Sequence, residues 1–264
     1  MEKEPTFFDF AAHVGLTKHL GNVKATEELA GLCHIGADKY VLDVGCGAGV
    51  TPCFMVKNYG CRVVGVDIVK GMIERCEERA RREGLAHADN EHPRVEFRVA
   101  DAQDLPFEDD LFDAVITESV TAFPEDKQRA VNEYARVTKP GGYVGLNEST
   151  WLKVPPPPEM VAWASQELGA SVKPLTADEW VGLLKGAGLA DIVVRRYEID
   201  VKDETRGILQ RYGCRGMLRI LSRTLGLYTS SPDYRRFVKK IRGEGIVPQN
   251  LDEYFGYGVY VGRK

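Results

Sequence analysis

Short apolar runs alternate with amphipathic segments between residues 40 and 148 of this chain. Residues 69–83 are the clearest helical segment, because Met72, Ile73 and Cys76 fall on one face and charged residues on the other. The five predicted strands are residues 40–44, 61–66, 95–100, 112–117 and 142–146. Strands and helices that alternate in this way form a parallel sheet with helices on both faces. The pattern therefore predicts an α/β, Rossmann-like, doubly wound fold.

The pattern changes after residue 148. Four consecutive prolines at 155–158 predict neither helix nor central strand, because proline lacks the N–H that both require. A helix is predicted from Ala177, with Thr176 as its N-cap and Glu179 completing a capping box. A sixth strand is expected over residues 191–197.

The last third of the chain contains one more predicted strand. Residues 201–250 show no strand alternation, whereas residues 254–263 alternate aromatic or aliphatic side chains with glycine. We therefore expect one domain with a mostly parallel, seven-stranded sheet. Its core is predicted over 36–148, 176–200 and 251–264, with lid segments over 1–35, 149–175 and 201–250.

Composition places the chain among soluble globular proteins. Its 264 residues are 44% apolar and 28% charged, with a net charge of −4, which excludes a disordered chain and gives no overall basic excess for nucleic acid. No apolar run follows the charged N-terminus or is long enough to span a bilayer. The cysteines and histidines show no metal-ligand spacing. We expect a cytoplasmic protein without a bound metal.

The first predicted strand runs into a glycine-rich turn. Asp43 is followed by Gly45, Gly47 and Gly49 in a G-x-G-x-G string. Glycine is required where a loop turns sharply and a ligand approaches its backbone. The dinucleotide fingerprint would need a glycine at the next position, which is Val50. This difference disfavours a nicotinamide-dependent oxidoreductase.

Three further motifs follow along the chain. Asp67 ends the second strand, 20 residues after Gly47, where a carboxylate accepts hydrogen bonds from the ribose hydroxyls of an adenosine cofactor. Asp101 lies in an A-D-A-Q-D-L-P-F string over residues 100–107, where its carboxylate and the next backbone N–H could recognise adenine. Residues 136–142 contain a K-P-G-G turn before the fifth strand.

Together, these motifs resemble the class I S-adenosylmethionine-dependent methyltransferases. The resemblance is strongest to the small-molecule, type 11 group that includes the ubiquinone/menaquinone-type enzymes. It covers residues 38–148 strongly, and residues 176–198 and the last strand moderately. It implies S-adenosylmethionine as the cofactor. The implied binding residues are Gly45, Cys46, Gly47 and Gly49 at the methionine moiety with Asp43 nearby, Asp67 at the ribose, Ile68, Asp101 and Ala102 at the adenine, and Thr117 and Glu118 at the methionine end.

Two glutamates are the candidate catalytic residues. Glu118 and Glu148 follow neighbouring strands of this topology, so we expect both carboxylates to face one pocket. There they would hold a cationic amine, or one would act as a general base. In the alternative interpretation, Glu118 contacts only the cofactor's amino group and Glu148 caps a loop. His13 and His19 belong to an N-terminal segment predicted to close over the cofactor.

Basic residues concentrate in one part of the chain. Residues 195–243 carry a net charge of +8, which leaves −12 on the remainder. Four arginines recur there at every fourth position, namely Arg211, Arg215, Arg219 and Arg223. Such a helix suits peripheral contact with an anionic membrane, an anionic substrate, or pairing with the acidic core. The interspersed glycines Gly207, Gly213, Gly216 and Gly226 favour a mobile lid over a long helix.

The predicted activity is transfer of the S-adenosylmethionine methyl group to a small molecule, a quinone, lipid or amine among the candidates, with release of S-adenosylhomocysteine. The alternative is a sensor or assembly module that binds the cofactor without turnover. Nucleic acid is disfavoured as acceptor, because Thr117-Glu118-Ser119-Val120 stands where amino-methylating nucleic-acid enzymes of this class carry Asn/Asp-Pro-Pro-Tyr. The sequence leaves the acceptor atom and the oligomeric state open.

Overall fold

The computed structural model describes residues 7–17, 19–85, 94–168, 174–199, 201–244 and 250–264. The strands are β1 (Tyr40–Val44), β2 (Arg62–Asp67), β3 (Val95–Val99), β4 (Phe112–Glu118), β5 (Thr138–Trp151), β6 (Leu175–Thr176), β7 (Ala190–Glu198) and β8 (Phe255–Arg263). The helices are α1 (Phe7–Val14), α2 (Asn22–Leu32), α3 (Val50–Tyr59), α4 (Lys70–Arg82), α5 (Lys127–Val137), α6 (Pro158–Leu168), α7 (Ala177–Gly186), α8 (Val201–Ser230), α9 (Pro232–Glu244) and α10 (Leu251–Tyr254).

These strands form one sheet in the order β3-β2-β1-β4-β5-β8-β7, with β6 paired to β5. Strands β1 to β5 pair in parallel, and β8 runs antiparallel to both β5 and β7. The predicted α/β, doubly wound, mostly parallel sheet is confirmed. The two-residue β6 was not predicted, because so short a pairing leaves no alternation in the sequence.

Both faces of the sheet are covered by helices. Leu42 and Val115 pack on one face with Trp180 of α7, while Val41 and Ile116 pack on the other with α2 and α3. Successive strand residues point to opposite faces, so a strand buried on both sides must be apolar throughout. Strands β1, β2 and β4 run parallel, so the polar residues at their carboxyl ends lie together at one edge of the sheet.

The structure contradicts part of the prediction for the proline run and confirms the prediction for the helix capped by Thr176. Pro158 is the first residue of α6, so the prediction that no proline of the run belongs to a helix is wrong at this position. The first turn of a helix has no partner for its N–H groups, so proline costs little there. The capping box of α7 is confirmed, since Thr176 Oγ1 accepts from Glu179 N at 3.3 Å and Thr176 N donates to Glu179 Oε2 at 2.7 Å.

Helix α8 is longer than the glycines suggested. The backbone leaves helical geometry at Gly213 (φ 62°, ψ 170°), whereas the other three glycines lie in helical backbone. The prediction of a broken helix is therefore correct at Gly213 only. Gly207 instead allows α8 to pack closely against α2, because a Cβ there would lie 2.0 Å from Cγ of Asn22 at the start of α2. This approach brings the next turn of α8 over the edge of the sheet.

Candidate active site

The glycine-rich loop after β1 depends on backbone that other residues rarely adopt. Gly45, Gly47 and Gly49 have φ values of +75°, +54° and +74°. A Cβ on Gly45 would lie 2.2 Å from Cγ2 of Val120, so glycine is also required by space. Gly45 N donates to Val66 O at 2.7 Å, which ties the loop to the end of β2.

Cys46 lies within this loop and packs against α4. Its Sγ is 3.6 Å from Cys76 Sγ, and the Cys76 thiol donates to Gly47 O at 3.0 Å. Burial raises the pKa of the Cys46 thiol well above its ordinary value, so the thiolate is disfavoured. Cys46 is therefore a packing residue of the loop rather than a nucleophile.

Asp67 joins the glycine loop to the start of α4. Its Oδ2 accepts from Gly47 N at 3.0 Å and its Oδ1 accepts from Val69 N at 2.9 Å. Desolvation raises the pKa of Asp67, although both backbone N–H groups lower it. A carboxylate held in this way has its position fixed before any ligand arrives.

The residues predicted at adenine lie around the same edge. Ile68 and Val99 are apolar yet 66% and 51% exposed, next to Asp67 and at the end of β3. Asp101 Oδ1 accepts from Gln103 N at 2.8 Å, which fixes the turn after β3. Ala102 packs against the apolar cluster on one face of the sheet. Sequence reasoning missed Val99, because alternation alone does not reveal an exposed apolar residue.

Asp43 is buried beneath the loop. It is 2% exposed, and its Oδ2 has no hydrogen-bond partner among the described residues. Burial, followed by the charges of Glu118 and Asp67, raises the pKa of Asp43 well above its ordinary value, while Arg211 opposes this rise. An unpartnered buried carboxyl group is costly and indicates a place where a positive ligand group would be stabilised.

Glu118 is surrounded by hydroxyl groups. Thr26 Oγ1 donates to its Oε1 at 2.8 Å and Thr51 Oγ1 donates to its Oε2 at 2.7 Å. His19 Nε2 lies 3.4 Å from Oε2, and burial lowers the pKa of His19 to about 4. At neutral pH this contact therefore joins a neutral imidazole to the carboxyl group. Neither threonine was predicted, because a threonine inside an amphipathic helix carries no distinctive pattern.

Glu148 does not share a pocket with Glu118, and that prediction is wrong. Strand register pairs Glu118 with Asn147, so Glu148 points to the opposite face of the sheet. Glu148 Oε1 accepts from Val120 N at 2.9 Å and from Thr121 N at 2.6 Å. These contacts match the alternative interpretation, in which Glu148 caps a loop.

Alternation also separates Thr117 from Glu118. Thr117 is buried on the face opposite Glu118 and lies 3.5 Å from Thr121 Oγ1, side-chain oxygen to side-chain oxygen. Asn147, which shares the face of Glu118, donates from Nδ2 to Leu20 O at 2.8 Å. The residue that connects this face to the N-terminal segment is thus one that was not predicted.

The first half of α8 reaches the same site. Arg211 Nη1 is buried and has no hydrogen-bond partner within the described structure. Arg211 lines a cavity of about 330 Å³ together with Thr26 and Thr51, the two threonines that bind Glu118. The neighbouring Tyr212 hydroxyl accepts from Thr17 N and donates to Thr17 O, both at 2.8 Å.

The four arginines predicted as one stripe have separate environments. Arg211 lines the cavity with Thr26 and Thr51, and Arg223 pairs with Glu78 of α4 at 2.6 Å. Arg215 is exposed, and Arg219 Nε donates to the backbone O of Arg215 at 3.3 Å. The kink at Gly213 lies between the first arginine and the others, so α8 cannot present all four on one face.

The described residues contain neither a metal-binding cluster nor a membrane-spanning helix. No group of three or more His, Cys, Asp or Glu there is arranged to hold a metal ion. No helix in those ranges combines the length and apolar character needed to cross a membrane.

Comparison with known proteins decides the family. A model of the methyltransferase domain matches residues 42–146. An uncharacterized protein of Haemophilus influenzae is 30% identical over 224 residues, which cover 84% of this chain and 86% of that protein. The chain belongs to the class I S-adenosylmethionine-dependent methyltransferases.

Other matches to this methyltransferase cover a smaller share of the matched protein. The 27-O-demethylrifamycin SV methyltransferase of Amycolatopsis mediterranei is 35% identical over 170 residues, covering 63% of this chain and 59% of that protein. A Haemonchus contortus phosphoethanolamine N-methyltransferase, solved with phosphomonomethylethanolamine and S-adenosylhomocysteine, matches 100% of this chain and 59% of its own with a TM-score of 0.71. Its identity is 19%, so this likeness concerns the fold. This chain spans less than two thirds of either protein.

The methyltransferase uses S-adenosylmethionine, and its described residues fit that cofactor. The glycine loop adopts backbone geometry that side chains disfavour, and Asp67 presents a fixed carboxyl group beside it. Asp43 and Arg211 each keep a buried polar atom that has no hydrogen-bond partner in the described part of the chain. These groups have opposite charge, as the two ends of an amino acid do.

The Tyr212 hydroxyl gives a first prediction. We expect Tyr212→Phe to destabilise the methyltransferase by about 1–2 kcal/mol, because both backbone groups of Thr17 lose their partner. Chemical denaturation measures this loss, and hydrogen exchange should become faster around Thr17. The matched control is Tyr228→Phe, which changes an exposed tyrosine of the same helix. Equal behaviour of the two variants would show that the Tyr212 contact does not hold the N-terminal segment.

Proposed function

We propose that this methyltransferase transfers the methyl group of S-adenosylmethionine to a small-molecule acceptor and releases S-adenosylhomocysteine. The observation that carries the proposal is that Asp43 Oδ2 and Arg211 Nη1 are both buried and have no hydrogen-bond partner among the described residues. The cofactor supplies a methyl group that its sulfonium already activates. The protein's task is then to bind and orient both molecules.

The zwitterionic end of the cofactor is proposed to bind between α8 and β1. Asp43, with Glu118 behind it, would stabilise the ammonium group, and Arg211 would bind the carboxylate. The charges support this arrangement, because Arg211 is close enough to Asp43 to oppose the rise in its pKa. The cavity of about 330 Å³ beside Arg211 is lined by the hydroxyl-bearing Thr26 and Thr51. Arg211 is a residue that the family motifs do not contain.

The adenosine end is proposed to follow the edge from β2 to β3. Asp67 would accept the ribose hydroxyls, and the exposed Ile68 would cover one face of the adenine. Asp101 and the backbone of Ala102 would contact the adenine edge. The fixed turn at Asp101, held by Gln103 N, supports this assignment.

The acceptor is proposed to lie under the segments that converge on this edge. Leu20 of the N-terminal segment donates to Ser119 Oγ at 3.4 Å and accepts from Asn147, and Tyr212 binds Thr17. The rifamycin relative, whose name describes a small-molecule methyl acceptor, supports an acceptor of that class. Glu118 already accepts hydrogen bonds from the hydroxyl groups of Thr26 and Thr51, and we assign it the role of a positioning residue.

Two ligands, one with the amino-acid part and one without it, test the role of Arg211. S-adenosylhomocysteine carries the amino acid, whereas 5′-methylthioadenosine lacks it. We expect Arg211→Ala to weaken S-adenosylhomocysteine binding by about 10- to 100-fold, the worth of a charge-assisted hydrogen bond, with 5′-methylthioadenosine unchanged. Isothermal titration calorimetry measures both affinities. Arg215→Ala, at an exposed position of α8 beyond the kink at Gly213, is the control.

The outcomes of that experiment separate the alternatives. Equal weakening for both ligands would mean that Arg211 supports the fold and does not bind the carboxylate. Undiminished S-adenosylhomocysteine binding would place the carboxylate elsewhere while leaving the proposed activity intact.

Transfer itself is tested with methyl-labelled S-adenosylmethionine and a fractionated extract of the source cells. Label in a small-molecule fraction supports the proposed activity, and its partition between organic and aqueous phases distinguishes a quinone or lipid acceptor from an amine. Cofactor binding without any transfer would favour the sensor alternative. Label in protein or nucleic acid would contradict a small-molecule acceptor.

A further inference from the structure

The second half of α8 exposes an apolar stripe. Leu218, Leu221, Leu225 and Tyr228 are 66%, 64%, 62% and 45% exposed, at spacings of three, four and three residues that place them on one side of the helix. They account for four of the nine large exposed apolar side chains among the residues that the structure describes. A concentration of this kind on one helix indicates an interaction surface.

The stripe faces away from the protein. The opposite side of α8 carries Ile220 and Leu227, each 8% exposed, and Leu227 packs with Phe10 of α1. Arg223 is on the inward side as well, where it pairs with Glu78. The helix is thus anchored by one face while the stripe is left uncovered, and no movement is needed to expose it.

The surroundings of the stripe are cationic. Residues 206–232 contain five arginines and no aspartate or glutamate. The exposed Arg215 and the half-buried Arg219 flank the leucines on α8. Three further exposed cations, Arg235, Arg236 and Lys239, lie on α9 beyond the end of the stripe, where Arg236 also pairs with Asp233. Arg235 donates to Tyr228 O at 2.9 Å, which fixes α9 beside that end.

We propose that this face of α8 and the start of α9 dock on an anionic lipid surface. The leucines and Tyr228 would enter the boundary between headgroups and acyl chains, and the arginines would contact lipid phosphates. An apolar face bordered by cations is the pattern of helices that lie in the plane of a membrane. The kink at Gly213 separates this docking half from the half that carries Arg211, so docking leaves the proposed cofactor contact in place.

Charge argues against a second copy of this chain as the occupant. Pairing two α8 helices through their leucines would bring the arginines of both copies together, with no acidic residue in 206–232 to compensate. Like charges beside a helix–helix contact destabilise it. Phosphate headgroups supply the opposite charge, and a bilayer accepts all four apolar side chains together.

Vesicle flotation of the full chain tests the proposal. We expect binding to vesicles of phosphatidylcholine with phosphatidylglycerol, at least about tenfold weaker binding to phosphatidylcholine alone, and loss of binding as salt rises. Leu221→Gln with Leu225→Gln, and separately Arg215→Gln with Arg219→Gln, should each reduce binding about tenfold or more. The matched control is Val161→Gln, which replaces a 44% exposed valine of α6.

Three results would overturn the proposal. One is no binding to either vesicle, and another is equal binding to both vesicles with no effect of the arginine changes. The third is a dimer, seen by light scattering, that the leucine changes convert to a monomer. Each variant is also titrated with S-adenosylhomocysteine, and unchanged affinity confirms that it is folded. Because no activity is measured, the outcome is independent of the proposed methyl transfer.

Discussion

Asp67→Ala is expected to weaken S-adenosylhomocysteine binding by about 100-fold or more. The proposed ribose contact consists of two hydrogen bonds to a carboxylate, each worth about 1.5–3 kcal/mol. The substitution also releases the N–H groups of Gly47 and Val69, which now bond to that carboxylate at 3.0 and 2.9 Å. Isothermal titration calorimetry measures the affinity, and 5′-methylthioadenosine should lose affinity to a similar degree because it keeps the ribose.

Two variants make that experiment specific. Asp67→Asn keeps the size and one acceptor oxygen, so we expect an intermediate loss of affinity with little change in melting temperature. Asp38→Ala removes a carboxylate whose side chain is 80% exposed just before the opposite end of β1, and should leave binding unchanged. A loss below about threefold for Asp67→Ala would exclude the ribose role, since one charged hydrogen bond alone is worth more.

Glu148→Gln is expected to change the pH dependence of stability. Burial raises the pKa of Glu148 to about 7, although the N–H groups of Val120 and Thr121 oppose this rise. The folded protein therefore keeps this proton while the unfolded chain loses it, so ionisation lowers stability as pH rises from about 4.5 to about 7. Above that range the destabilisation is complete, about 3 kcal/mol.

Denaturant unfolding of both proteins from about pH 4 to about pH 8 checks this prediction. The glutamine keeps an oxygen that accepts from both N–H groups but does not ionise, so the variant should gain about 3 kcal/mol over the wild type across the range. Glu108→Gln, at an exposed position, is the control and should follow the wild type. A difference that stays constant with pH would show that Glu148 does not titrate in this interval.

The fold was predictable because its signals are local. Seven strands and the helix capped by Thr176 each come from alternation, turn residues or a capping box within about ten residues of chain. Strand β6 and the start of α6 are among the elements that these local signals missed. Strand β6 pairs with Thr150 and Trp151 through only two residues of its own. Helix α6 begins on a proline, a residue that is disfavoured in the interior of a helix.

The site was predictable only where a motif has a fixed place in the fold. The glycines, Asp43 and Asp67 lie at the edge where the sequence predicted them. The expected pairing of Glu118 with Glu148 was wrong because the register of β4 and β5 pairs Glu118 with Asn147. A shift of one residue in the strand register moves a side chain to the opposite face of the sheet. The sequence pattern does not reveal the register at strand ends.

Seven strands, the family and the glycine loop could be predicted from the sequence, because these depend on short-range patterns and on residues fixed by backbone geometry. Tertiary structure alone decided which polar groups meet. Thr26, Thr51 and Arg211 come from three helices far apart in the chain, yet they line one cavity. Packing of α8 on α2 at Gly207 brings them together, and such long-range packing leaves no periodic signal in the sequence.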